Sequence, residues 1–574
     1  MQCYHLNYHR VQVSQYYDRM YKYNPDGALN HNDVSETNIF QITKNFNKNT
    51  FINFGGTSFK KTYKHSTFED LNKYAHQEIN TSRPYSFLTG GSNNSYFNRE
   101  TKSTIIKSDI TSQLKNNLIK IGLETRMHQI NYYASSYQPS IDQTSFNPLS
   151  DSPFLTEPTL PNDTTIYSSR FTFEPIELSM YMQDKIELKD LIINAGLRLD
   201  YFDPKGNLLS DPSDPSIYNP IKPSNRYKDI NENGIQDQGE PTISSVQRSE
   251  YWYTKTSEKY KISPRFGISF PISDAGVFHF SYGHFFQMPR FELLYMNPDF
   301  DLGQSTGNTG VIGNADLQPE KTISAEIGLQ QQLNRNYILN VTCYFRDIRE
   351  LTGTRSSEIE MFGGSSTYSK LENSDFAFVK GLVLSLDYDN RNGAFGTLDY
   401  TLQSAVGTAS DPFQAQNALS NNQLPEIQIV PLDWDQTHTL NATLGLSKPF
   451  GNLSIIGRFG SGLPYTPESA VDISSLIYNS SRKPITHTVD LRASKEIRFN
   501  VYRINLFFRV KNLFDHLNEN AVYNDSGEAG YTRKLGMAQS QNTDEAINTL
   551  DDWFNNETFY SNPRRIEIGF DIKY

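Results

Sequence analysis

Only two cysteines, Cys3 and Cys343, occur in 574 residues, too few for a disulfide framework in a chain of this length. Cys343 falls on the apolar side of LNVTCYFR with Leu339, Val341 and Phe345, which reads as plain packing. There is no run of eighteen apolar residues and mean hydropathy is −0.59, so spanning a membrane with helices is excluded. Basic charge is also short. The 53 Lys and Arg stand against 64 Asp and Glu, a net charge of −11 with no basic stripe, which argues against a nucleic-acid partner. Nor does the start, MQCYHLNYHRVQV, supply the basic and apolar regions of a signal peptide, which for an exported chain implies a missing N-terminal part. A membrane crossed by strands survives every one of these exclusions, because half-apolar strands leave little trace in mean hydropathy.

Aromatic residues and alternation are what the chain has in quantity. Phe, Tyr and Trp make up 13% of it, high for a soluble protein and suited to interfacial girdles or to a carbohydrate-binding surface. The last residues, RRIEIGFDIKY, place Ile566, Ile568, Phe570, Ile572 and Tyr574 on one side and Arg565, Glu567, Gly569, Asp571 and Lys573 on the other. A period of two is the mark of a β-strand. The same pattern recurs in IELSMYMQDKIEL (176–188), LIINAGLRLDYF (191–202), VFHFSYGHFF (277–286), ISAEIGLQQQL (323–333), TLNATLGLS (439–447) and RINLFFRV (503–510).

The connections carry more information than the strands. Short polar turns stand at 47–49, 115–117, 188–190, 273–276, 334–336, 390–393, 450–452 and 499–502. Long polar segments lie between them, at roughly 60–100, 134–172, 203–258, 287–319, 350–376, 408–436, 464–485 and 515–562. A sandwich has no reason to gather its long loops at one end, whereas an outer-membrane barrel does, with tight periplasmic turns and long extracellular loops. The expected fold is therefore all-β, an antiparallel transmembrane barrel. About seventeen strands run from residue 40 to the end, and the parity of crossings demands at least one more, for which residues 3–13 are the candidate. The expectation is about 17–18 strands of a full set of about 22, the rest lying upstream.

Several blocks are similar to the barrel of TonB-dependent outer-membrane receptors, in the group whose barrel follows a carboxypeptidase-regulatory-like domain and a plug. GNADLQPEKTISAEIGL (313–329) resembles that family's barrel signature through Asn314, Leu317, Pro319, Glu320, Glu326 and Gly328, although Ala315 and Gln318 depart from it. YNPDG (23–27), SPRFGISFPI (263–272), YGHFFQMP (282–289), YFRDIRELTG (344–353), LDWDQTHTLN (432–441), SGLPYTP (461–467) and VKNLFD (510–515) resemble further blocks in the same order. The resemblance implies residues 1–574 as an N-terminally incomplete barrel, without plug, TonB box or signal peptide. It also implies the outer membrane of a Gram-negative-type bacterium and active uptake of a scarce large ligand, siderophore, glycan or peptide. Membrane lipid, the TonB complex through the absent N-terminal part, and the barrel assembly machinery through a last strand ending in Tyr574 are the implied partners. Pro319 before a strand costs no ladder bond, and Glu320 reads as a rim cap rather than a ligand contact.

One loop carries chemistry of its own. DINENGIQDQGE (229–240) matches the twelve-residue calcium loop: Asp229, Asn231 and Asn233 at positions one, three and five, Gly234 at the turn, Ile235 offering a carbonyl at seven, Asp237 at nine and Glu240 at twelve. Flanking prolines exclude paired EF-hand helices, so calcium there would stiffen an extracellular loop; the alternative is a plain Asn/Asp/Gly turn. Enzymatic activity is not expected, since no motif joins His279, His284, His438 or His487 to a nucleophile, and His279 and His284 fit the lumen or a girdle. The competing reading is a passive channel or a surface ligand-binding barrel lacking a plug.

Overall fold

The computed structural model describes residues 2–70, 73–74, 85–139, 158–159, 168–300, 302, 307–354, 358–420, 425, 428–468, 478–499, 501–541 and 547–573. One sheet gathers twenty-two strand segments. Eighteen are long strands, once Ser168–Phe173 is taken as the start of the strand that resumes after Pro175, and Gly307–Ile312, Ile359–Glu360 and Val430–Pro431 are set aside as pieces of the rim. In chain order they are β1 (Gln2–Gln15), β2 (Asn30–Asn45), β3 (Thr50–Ser66), β4 (Ser95–Leu114), β5 (Asn117–Ser136), β6 (Ile176–Leu188), β7 (Leu191–Asp203), β8 (Lys259–Ser273) and β9 (Gly276–Gln287). There follow β10 (Glu320–Gln332), β11 (Tyr337–Thr354), β12 (Ser366–Asp389), β13 (Ala394–Gly407), β14 (His438–Lys448), β15 (Gly451–Gly460), β16 (Thr486–Phe499), β17 (Tyr502–Lys511) and β18 (Arg565–Lys573). Each pairs antiparallel with the next, from Gln2 opposite Thr43 to Lys511 opposite Arg565. Among the described residues β1 and β18 are each paired along one edge only.

Short links join the strands at all eight places where the polar turns stand. Three of them use one device: an asparagine carboxamide oxygen takes the N–H groups of the residues that follow. Asn47 accepts from Asn49 at 2.8 Å, Asn334 from Asn336 and Tyr337 at 2.8 and 3.1 Å, and Asn390 from Asn392 and Ala394 at 2.9 and 3.0 Å. Gly393 has φ +87°, and a Cβ there would meet the Ser447 carbonyl oxygen at 1.9 Å, so glycine alone fits the turn.

Most of the strands are longer than a bilayer needs, β12 reaching 24 residues, while β14, β15, β17 and β18 are no longer than a crossing requires. Extra length at the extracellular end shortens the expected 350–376 loop to the link between Thr354 and Ser366. The outward rows record where lipid stops. On β4 they run Ile110, Ile106 and Thr104, then turn to Lys102 and Glu100. Glu100 pairs with Lys60 of β3 at 2.9 Å and with Lys102 at 3.0 Å. Such charges belong in water above the hydrocarbon.

Candidate functional site

The outside of the sheet is greasy and the inside is wet, the reverse of a soluble barrel. Leu197 on β7 is 54% exposed and lies opposite Met182 and Pro264, with Leu199 opposite Met180 and Ile262. On the other face Arg198 donates to Asp200 and to Ser179, and Ser179 to Asp200, each at 2.7 Å, a polar triad spanning two strands. The C-terminal strand follows the same rule, with Ile568 80% exposed and Glu567 taking inward ion pairs from Arg509 and Arg565. Apolar rows exposed along strand after strand, with a charged face behind them, are the surface a barrel presents to lipid. Aromatic residues mark both borders: the Tyr201 and Tyr260 rings stand 5.2 Å apart near the extracellular end, those of Tyr337 and Tyr388 4.8 Å apart near the periplasmic end. His279 faces the lumen against Gly328, and His284 faces out, 2.9 Å from the Tyr282 hydroxyl. Cys343 packs in no protein core; it is exposed on the outer face, opposite Ile327 and Leu382.

Over the extracellular mouth the long connections fold together. Phe202, at the top of β7 and 0% exposed, packs with Ile130 of β5 and with Leu293, Leu294 and Tyr295 of a helical turn, Phe291–Tyr295, that drops back towards the lumen. Ala315, Leu317 and Leu371 complete that cluster. A second one joins Phe300, Leu302, Ile312, Met361 and Tyr368, whose hydroxyl donates to the Pro212 carbonyl at 2.7 Å. Within residues 204–258 the buried Asp214 carboxylate accepts the N–H groups of Ile221 and Lys222 at 2.7 and 3.1 Å. Buried Arg248 donates to the carbonyls of Ile217 and Asn225 at 2.7 and 3.1 Å. This stretch reads as polar loop in sequence yet is a folded unit. Besides the 229–240 motif, a local sign is Ser244 with Gln247, a capping box opening the helix Ser245–Trp252.

Beneath the cap, inward-facing rings line the upper wall from strand to strand: His31, Tyr63, His65, Phe97, Tyr132 and Phe171. His65 and Phe97 are 5.2 Å apart, Tyr132 and Phe171 stack at 4.5 Å, and the Tyr63 hydroxyl reaches His31 Nδ1 at 2.7 Å. Tyr132 and Phe171 also border a cavity of about 250 Å³ with Glu292, whose carboxylate pairs with Arg99. Sequence reading assigned the aromatic residues to girdles or a carbohydrate-binding surface and did not find this strip, because its members are scattered along 140 residues and meet only through strand register.

Of the six predicted calcium ligands, Asn231, Asn233 and Asp237 meet through their side chains, whereas Asp229 and Glu240 turn theirs to backbone N–H groups of the same loop. Asp229 accepts the Asn233 and Gly234 N–H groups at 3.2 and 2.6 Å, the Asn231 and Asn233 amides both donate to Asp237 Oδ2 at 2.7 Å, and Glu240 accepts from Ile230 and Asp237 at 2.7 and 3.0 Å. Ile235 is 67% exposed, its N–H held by the Asn233 side chain at 2.8 Å. An isolated bridge between Tyr227 and Thr242 pinches the base of the loop, and the Tyr227 hydroxyl donates to the Gly234 carbonyl at 2.7 Å. A four-residue helical turn, Pro223–Arg226, and the helix from Ser245 stand outside that bridge, so neither extends from the loop as an EF-hand helix would. Among the described residues no three His, Cys, Asp or Glu side chains are set as metal ligands. Here the carboxylates are satisfied by N–H donors, and asparagine amide nitrogens face Asp237 where oxygens would face a cation. Tyr574 lies outside the described residues.

An antiparallel sheet with an apolar exterior, a polar interior, short turns at one end and a folded cap at the other defines an outer-membrane β-barrel of the receptor type. The chain belongs to the TonB-dependent receptor-like β-barrel family, whose description matches residues 4–513. Among solved structures it is similar to the outer membrane transporter YddB from Escherichia coli (11% identity, 91% of this chain and 64% of that one, TM-score 0.61). It is also similar to the copper transporter OprC (12%, 95% and 65%, 0.54) and to the FrpB iron transporter from Neisseria meningitidis, F5-1 variant (11%, 90% and 66%, 0.54). At these identities the likeness is one of fold. The chain spans less than two thirds of the length of each of these structures. No curated protein sequence matches it.

Proposed function

We propose that the chain forms the wall and outer loops of a receptor in the outer membrane of a Gram-negative-type bacterium, one that takes up a scarce ligand too large for passive pores. TonB would drive the uptake through a plug seated in the lumen. The reading rests above all on one observation: loops that in a passive channel would leave the mouth open are here packed into a cap with two apolar clusters, above a wall lined with rings. Family membership supports transport over catalysis. A siderophore, glycan or peptide meets the rings equally well, and the last strand would carry the signal read by the barrel assembly machinery.

Folding the full chain into lipid vesicles tests the reading. A species that changes gel mobility on boiling, with protease cutting confined to the long loops, is the expected result. A compact, monodisperse globule in plain buffer without detergent would end it.

The loop 229–240 we propose as a calcium site of the extracellular surface. Support comes from its spacing, from the Asn231 and Asn233 side chains gathered on Asp237, and from its pinched base. Turning the two amides would exchange nitrogen for oxygen without moving the backbone. External calcium at millimolar levels fills even a weak loop of this kind.

A further inference from the structure

Midway down the lumen wall, a recess of about 590 Å³ opens around Arg265 of β8. That volume is in the range of small-ligand pockets. Its shape follows from the ladder: directly across from Arg265 stand Gly196 on β7 and Gly283 on β9, so the arginine projects from a floor that has no side chains on either flank. A Cβ at Gly283 would lie 3.2 Å from the Phe285 ring and 3.4 Å from Arg265 Cγ, closing the recess from that side. The guanidinium stands over the Phe285 ring, 4.6 Å from its centroid, which fixes the plane of the fork without neutralising it.

Charge in the recess is unbalanced. Lys107, Arg198 and Arg265 line it together with one acid, Glu326. Lys107 is answered by Glu124 at 3.6 Å, Arg198 by Asp200, and Glu326 by Arg346 at 3.8 Å, whereas Arg265 has no carboxylate within ion-pair distance among the described residues. A planar fork with five donors, unpaired beside serine hydroxyls and flanked by glycine, is shaped for a planar oxyanion held through two parallel bonds.

We infer that Arg265 is the anchor of a carboxylate site on the lumen wall, used either by an acidic solute in transit or by an acidic side chain of a polypeptide lodged in the lumen. The inference rests on the uptake reading only in requiring a watery lumen. Binding of succinate and of a blocked tetraglutamate peptide to the full chain, folded in detergent micelles at low ionic strength, is the experiment. Arg265→Gln weakens binding at least tenfold. Gly283→Leu, which fills the recess and keeps the charge, does the same, while Arg509→Gln on β17, remote from the recess, binds as the unaltered chain does. Saturable succinate binding lost in both recess variants assigns the site to free solutes; binding of the peptide alone, lost in the same variants, assigns it to a polypeptide. No binding of either probe, or equal binding in all four proteins with gel mobility intact, overturns the inference. A chain that never acquires folded gel mobility would instead count against the barrel reading itself.

Discussion

Lys259 begins β8 almost wholly inside the protein, 3% exposed, and Asp316 from the cap supplies its counter-charge together with the Ser257 hydroxyl. Burial pushes the Asp316 carboxyl up, but the hydrogen bonds from Lys259 and Ser257 outweigh it and leave the group below the usual carboxylate range. A depressed carboxyl contributes stability above its unfolded value of about 3.9 and loses it as pH falls through the lower folded value. The cap is therefore expected to loosen below about pH 4, seen as faster protease cutting within 204–258. Asp316→Asn should show the same loosening at pH 7, by about 1–3 kcal/mol, less than a fully buried pair because Asp316 is part exposed. The two faces of one strand give a second test. Leu197→Arg puts a charge into lipid at a cost of about 2–4 kcal/mol, and Arg198→Leu on the watery face costs about 1 kcal/mol or less. Unfolding of both variants from vesicles measures the difference, and equal costs would reverse the assignment of inside and outside.

Among the elements, hairpins were the most legible and loops the least. Alternation at 191–202 and a turn asparagine at 334 act within a few residues of themselves, so period and turn chemistry locate β7 and the β10–β11 link without any tertiary information. The 204–258 unit is held by Asp214, Arg248 and Tyr368, whose partners are several to 156 residues away, and nothing in the local sequence tells such residues from ordinary polar loop. The loop 229–240 lies between these cases: spacing names the ligands proposed for it, and only the fold shows the bridge that closes its base. Because the Tyr227 hydroxyl reaches the Gly234 carbonyl, terbium bound in the loop should luminesce when tyrosine is excited and be displaced by calcium. Asp229→Asn combined with Glu240→Gln should abolish the signal; unchanged emission in that variant would place the ion elsewhere.

At the scale of the whole molecule, the first and last extracellular connections interlock although β1 and β18 do not pair among the described residues. Arg19, its side chain 15% exposed, donates to the carbonyls of Asp552, Trp553 and Asn555 at 2.7, 2.6 and 3.3 Å and meets Glu557 at 3.3 Å. In doing so it caps the C-terminal end of the helix Leu550–Phe554, and it lies over the rings of Phe87 and Trp553 at 4.9 and 5.7 Å. Asn548 ties in the connection between β3 and β4, accepting from the Phe87 N–H at 3.0 Å and donating to the Tyr85 carbonyl at 2.9 Å. Arg19→Ala removes a cation bonded to several carbonyls and should cost about 2–3 kcal/mol at this junction. Protease cutting between 547 and 560 should quicken while the mobility shift of the folded sheet is retained. If that segment stays protected, the junction is not what holds it.

Sequence by itself determined the strands, their turns, which face meets lipid and the Asp, Asn and Glu spacing at 229–240, because each depends on neighbours one to eleven residues apart. Tertiary structure alone decided the cap, the Arg19 junction, the ring-lined upper wall and the glycine-flanked Arg265, since each is made of residues that share a place only after strand register is set. Register is a property of paired chains. A period of two announces that a strand has two faces, and only its partners decide what stands beside each residue on them.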